Sequence, residues 1–109
     1  MAVFPAPFPE NVYSLRFYRT GTATANFADN KWPFSRPEDD ALPMASRRQG
    51  WSRGIRIQVS DTAGDSLEYS FDGTNVHGHL DPGESDVYFE RTEGGIAVRG
   101  VGTFWIEAW

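Results

Sequence analysis

The sequence predicts an all-β protein: an antiparallel β-sandwich, jelly-roll-like or Ig-like, with an extended N-terminal arm and a long irregular loop. Three observations carry this. Apolar and polar residues alternate in short runs, the period of a half-buried strand. Gly, Pro, Asp and Asn turn signals separate these runs at roughly 8–12-residue spacing. Eleven glycines and seven prolines in 109 residues leave no long helical pattern between them. The length suits one domain and not two. The expected organisation is an arm over residues 1–10 and a single domain over 11–109, with the long loop at 29–50.

Each element has its own signal. VFPAPFPE is punctuated by proline and carries Phe4 and Phe8, which suits an extended arm laid on a neighbouring surface. VYSLRFYR sets Tyr13, Leu15 and Phe17 against Ser14 and Arg16. Thr20-Gly21 can turn the chain, and TATANFA then sets Ala23, Ala25 and Phe27 against Thr22, Thr24 and Asn26, which predicts a first hairpin. Residues 29–50 show neither period and hold Pro33, Pro37 and Pro43. A loop of that length is functional, partner-bound or disordered; Trp32, Phe34, Leu42 and Met44 argue against full disorder. One helical turn near Pro37–Leu42 with Ser35 as N-cap is compatible with it.

The second half is more regular. Ile55, Ile57 and Val59 face away from Arg56 and Gln58, and Leu67, Tyr69 and Phe71 alternate with Ser66, Glu68 and Ser70. Asp72-Gly73 signals a hairpin turn. The return strand TNVHGHL then places Val76, Gly78 and Leu80 inward and Asn75, His77 and His79 outward. Asp81-Pro82-Gly83-Glu84 has the type II turn preference. In DVYFE, Val87 and Phe89 are expected inward. Ile96 and Val98 share a face, Gly100 and Gly102 suggest a bend or bulge, and Phe104, Ile106 and Ala108 oppose Trp105 and Glu107.

Composition excludes several functions. The chain has no cysteine, so thiol catalysis and cysteine zinc sites are ruled out and a disulfide-stapled secreted domain loses weight. No apolar run of about 18 residues occurs, so no membrane helix is expected. The first residues lack a basic region and are interrupted by Pro5, Pro7 and Pro9, unlike a signal peptide. Net charge is −5, and residues 51–109 carry ten acids against four bases, which argues against nucleic-acid binding through that half.

His77 and His79 form an H-x-H, with Glu84 five residues on. On a strand, both imidazoles share a face, and a carboxylate could complete a metal set. Gly73, His77, His79, Glu84 and Gly94 look like the first motif of the cupin family, which would imply a metalloprotein. No further histidine follows, and the pair falls on the face opposite Leu67, Tyr69, Phe71, Val76 and Leu80. The favoured reading is therefore an outward hairpin face, with no catalytic residue, metal or cofactor. No nucleophile elbow or phosphate loop is present. The sixteen aromatic residues (eight Phe, four Tyr, four Trp) exceed what a small core needs and suggest protein–protein interfaces. Candidate contact residues are Phe4, Phe8, Trp32, Phe34, Arg47, Arg48, His77, His79, Trp105 and Trp109. A carbohydrate- or receptor-binding β-module would also expose aromatic residues.

Tyr69–Gly73 (YSFDG), Pro82–Glu84 (PGE), Ile96–Gly100 (IAVRG) and Glu107–Trp109 (EAW) together resemble small structural proteins of tailed bacteriophages. The resemblance covers residues 55–109 and implies a β-sandwich virion component: a head-decoration (cement) protein, or a neck or tail adaptor. It implies partners rather than catalysis. These are further copies of the chain, with a trimer favoured by analogy, and other virion proteins such as the major capsid protein. It implies location in the virion after synthesis in the host cytoplasm. Neither nucleic acid nor membrane is an expected partner.

Overall fold

The computed structural model describes residues 16–35, 39 and 41–109. Seven strands occur there: β1 Phe17–Ala23, β2 Lys31–Pro33, β3 Gly54–Val59, β4 Ser66–Ser70, β5 Gly78–Leu80, β6 Ser85–Phe89 and β7 Gly95–Ala108. No α-helix is found among the described residues. The expected arm, 1–10, lies outside them, as do Tyr13 and Leu15.

All pairings are antiparallel and they organise around β7, which is 14 residues long. Along one of its edges run β1 (Phe17↔Ala108 to Ala23↔Gly102) and then β2 (Lys31↔Ala97 to Pro33↔Gly95). Along the other run β3 (Ile55↔Ala108 to Val59↔Phe104) and then β4 (Ser66↔Val101 to Ser70↔Ala97). β6 adds beyond β3, and β5 beyond β4. The sheet is thus four ribbons, each interrupted at the same level: residues 24–30, 60–65, 81–84 and the Gly100–Gly102 stretch. Here the sheet folds back on itself, and the two layers of the predicted sandwich are two halves of one curled sheet. Gly100 and Gly102 bend β7 at φ 147° and 101°, where side chains are disfavoured. Backbone bonds tie the ribbons across the corner: Gly100 N–H to the Thr24 carbonyl (2.8 Å), Ser60 N–H to Thr103 (2.9 Å) and Gly83 N–H to Ser60 (2.9 Å).

The core lies between the halves. Phe17, Ile55, Ile57, Val59, Phe104, Ile106 and Ala108 come from one half, and Leu67, Tyr69, Leu80, Ile96 and Val98 from the other. Trp32 spans the gap, its ring 6.3 Å from Phe17 and 5.9 Å from Phe104. The alternation read for residues 55–59, 67–69 and 104–108 matches this inward set, as does the bend at Gly100 and Gly102.

Four local expectations are corrected. Thr20-Gly21 is no turn: β1 runs straight through it, because β7 offers a continuous partner from Ala108 to Gly102. Gly21 leaves room for the Phe104 ring, 3.3 Å from where a Cβ would sit. Asp72-Gly73 is not a two-residue hairpin turn, since β4 ends at Ser70 and β5 begins only at Gly78. Val76 consequently lies exposed in the connecting loop. Phe34 is not a surface contact. It is 1% exposed and packs on Phe17 at 4.8 Å, inside the core.

The fourth correction is β6. Val87 and Phe89 point out and Tyr88 packs against the core, because Tyr88 lies beside Ile55 and Asp86 beside Ile57, both inward residues. Phe89 is 75% exposed. Phe89→Ser should therefore shift stability by no more than about 0.5 kcal/mol, as for other exposed positions. Urea unfolding would check this; an inward Phe89 would instead cost several-fold more.

Candidate functional site

The histidines do not assemble a metal centre. His77 sits in the loop before β5, where its Nδ1 accepts the Phe71 backbone N–H at 3.0 Å and its ring lies 5.2 Å from the Phe71 ring. His79 is on β5, opposite Glu68, with Nε2 3.0 Å from Asp81 Oδ1. Glu84 turns back to accept the Asp81 N–H through Oε1 at 2.8 Å. No group of three or more His, Asp or Glu side chains able to hold a metal occurs among the described residues.

Asp72 organises the loop between β4 and β5. Its Oδ1 accepts the Thr74 and Asn75 backbone N–H groups and the Ser70 hydroxyl, each at 2.8 Å, and its Oδ2 accepts the Asn75 side-chain amide at 2.7 Å. These bonds, the Asn75 and Thr74 amides foremost, hold its carboxyl well below the usual carboxylate range. The sign follows: the loop's contribution is complete above the ordinary Asp pKa near 4 and is lost only as pH falls below it. A carboxyl NMR titration should give Asp72 a midpoint well below the ordinary Asp value near 4. A midpoint near 4 would mean the loop is not held this way.

The long loop is anchored to its own protein. Gly50 N–H donates to the Phe34 carbonyl at 2.8 Å, and Ser35 bridges Gln49. Gln49 Nε2 reaches the Gly94 carbonyl at 2.8 Å. Arg48 grips both carboxylate oxygens of buried Asp39, with Nε to Oδ2 at 2.9 Å and Nη2 to Oδ1 at 2.8 Å. Arg47 Nε donates to the Leu42 carbonyl at 3.0 Å. The two arginines expected at an interface thus also hold the loop's shape. Of the expected helical turn, Pro37, Glu38 and Asp40 lie outside the described residues; Leu42 N–H donates to the Asp39 carbonyl at 2.9 Å. Phe4 and Phe8 also lie outside them.

Beside this loop a cleft of about 390 Å³ is lined by Lys31, Trp32, Phe71, Asp72 and the Gly94–Ala97 backbone. Its polar equipment is one ammonium and one carboxylate whose oxygens are already occupied.

The most distinctive surface is the outer face of the half built from β1, β7, β3 and β6. Two rows cross it: Tyr18–Glu107–Arg56–Val87 and Thr20–Trp105–Gln58–Ser85. A third is formed where Trp109 lies over Gly54 and its ring meets Phe89 at 6.5 Å. Gly54 is required there, since a Cβ would sit 2.3 Å from the indole. Tyr18 is 51% exposed, and Val87 and Trp109 are each 43% exposed. Arg56 Nη1 stands 3.4 Å from Glu107 Oε1, and its Nη2 donates to Gln58 Oε1 at 2.8 Å. Tyr18, Arg56, Gln58, Trp105 and Glu107 enclose a shallow depression of about 310 Å³.

Trp105 and Trp109, expected as contact residues, do belong to this face. Tyr18, Val87 and Phe89 were not expected there. Tyr18 was legible as the polar-phase neighbour of Phe17. Val87 and Phe89 were not, because Val87, Tyr88 and Phe89 are all apolar and give no phase. Among the described residues no helix is long and apolar enough to cross a membrane. No family model matches the chain, and no curated protein matches it.

Proposed function

We propose that this chain is a structural component of a tailed-phage particle, acting as a head-decoration (cement) protein that binds neighbouring subunits and has no catalytic role. A neck or tail adaptor is the variant of the same reading. The supporting observation is the sheet face carrying Tyr18, Val87, Phe89 and Trp109. A folded chain that leaves Phe89 three-quarters exposed beside Trp109, with Tyr18 and Val87 exposed on the same sheet face, has the surface of a protein that covers another protein. The phage-like YSFDG, PGE, IAVRG and EAW segments support the same reading. Its partners would be further copies of the chain and the major capsid protein, with residues 1–10 as the reaching segment and the particle as its location.

The test is deletion of residues 1–10. The truncated protein should melt within a few degrees of the full chain, yet its incorporation into particles should fall at least about tenfold. Equal incorporation by both proteins in a particle-binding assay would sink the arm's role. Absence of the full chain from purified particles would sink the assignment itself.

One observation favours a second reading, a carbohydrate- or receptor-binding module. The depression beside Tyr18 and Trp105 combines aromatic faces with Arg56, Gln58 and Glu107. Quenching of tryptophan fluorescence by sugars, lost in Trp105→Ala, would select it.

A further inference from the structure

We infer that the outer face of the β1–β7–β3–β6 half is self-complementary and docks onto the same face of a second copy of this chain. This contact rests on the proposed self-association and names its surface from the register of the described strands.

In this half, β7 and β3 are the two central strands, with β1 and β6 flanking them. Consider a two-fold axis lying in the plane of the face, parallel to the strands and midway between β7 and β3. Rotation about it turns a second copy face to face and exchanges left for right. Every residue of a row then meets the residue at the mirrored place in that row. In the first row Glu107 faces Arg56 of the other copy and Arg56 faces its Glu107, while Tyr18 faces Val87. In the second row Trp105 faces Gln58, and Thr20 faces Ser85. Anion meets cation, apolar meets apolar and hydroxyl meets hydroxyl, all from one surface, as an isologous contact demands. Aligned sheets pack with a skew of about 30°. The match is therefore closest near the axis, where the charged pair stands.

Size agrees with a modest dimer. Four strands about 4.8 Å apart and about 3.3 Å per residue along the seven residues of β1 give a face of roughly 19 by 23 Å. Two such faces, with their side-chain relief, bury about 1,000 Å² in all, the lower end for a specific contact. Glu107 and Arg56 are already adjacent within one copy at 3.4 Å and both remain about half exposed, so pairing across the axis needs no rearrangement.

Sedimentation velocity across the micromolar range tests this with Arg56→Glu and Glu107→Arg. Each variant alone sets like charges against each other twice across the axis. Its self-association should weaken by more than about tenfold. Mixed in equal amounts, the two variants restore both opposite-charge contacts and should form a heterodimer. Val87→Asp, which sets a carboxylate against Tyr18, should weaken association without touching the charge pair. Thermal melts of these exposed variants check that they are folded. If the wild type associates and all variants do so equally, the interface lies elsewhere and only this inference fails. A charge-reversal mixture that stays monomeric also overturns it. A wild type that is monomeric throughout overturns both the inference and the proposed self-association.

Discussion

Gly100→Val is expected to cost about 4 kcal/mol or more, a large part of the 5–15 kcal/mol that stabilises a typical domain. At φ 147° the valine backbone is strained by about 1–3 kcal/mol. The larger problem is steric. A Cβ at this position lies 2.2 Å from the Ser66 carbonyl oxygen and 3.0 Å from the Leu67 Cα. Both are backbone atoms of β4, held in register by the Leu67↔Gly100 pairing. Relief requires β4 to leave β7, and β4 carries Leu67 and Tyr69 of the core. Gly102 provides the comparison. A Cβ there meets the Asp65 carboxylate, the end of a side chain that can rotate away. Gly102→Ala should therefore cost less than Gly100→Ala. Urea unfolding of the three variants measures the order, and wild-type stability in Gly100→Val would show that the corner does not depend on this residue.

Tyr69→Ala is expected to cost about 3–5 kcal/mol, as for other large aromatic residues cut from a core. Tyr69 is fully buried on β4 and lies across Gly78 of β5, where a Cβ would come within 2.2 Å of its ring. Its hydroxyl donates to Asp86 Oδ2 at 2.5 Å and meets the Tyr88 hydroxyl, so one side chain joins the two halves of the sheet. Tyr69→Phe keeps the ring but leaves Asp86 and Tyr88 short of a partner, for about 1–3 kcal/mol. Burial, then the bonds to Asp86 and Tyr88, push the Tyr69 hydroxyl well above the ordinary tyrosine pKa. The sign is that of a raised acid. The stabilising effect is complete below the unfolded value near 10 and is lost as pH rises beyond it. The stability difference between wild type and Tyr69→Phe should thus shrink above about pH 10, and a difference independent of pH would contradict this account of the hydroxyl.

The same residue explains why part of the fold was legible and part was not. In residues 55–59 and 104–108 apolar and polar positions alternate, so the inward face follows from the period alone. Val87, Tyr88 and Phe89 have no such phase. Their orientation depends on the pairing of β6 with β3 and on which side can satisfy the Tyr69 hydroxyl. The exposed aromatic face is a consequence of that choice, so its aromatic count was visible in the sequence and its location was not. The loop at 29–50 was legible only as aperiodic. Its closure through Phe34, Gln49 and Gly94 joins residues up to 60 positions apart, beyond the reach of any local pattern.

By itself, the sequence determined the all-β class, the inward faces of β3, β4 and the second half of β7, and the bend at Gly100 and Gly102. These rest on side-chain period and on backbone angles that glycine alone adopts easily. Only the tertiary structure decided that Thr20-Gly21 is mid-strand, that Val76 and Phe89 face out, and that Phe34 is core. A potential turn stays extended when a long partner strand satisfies its backbone groups, and an apolar run takes its phase from the strand it pairs with.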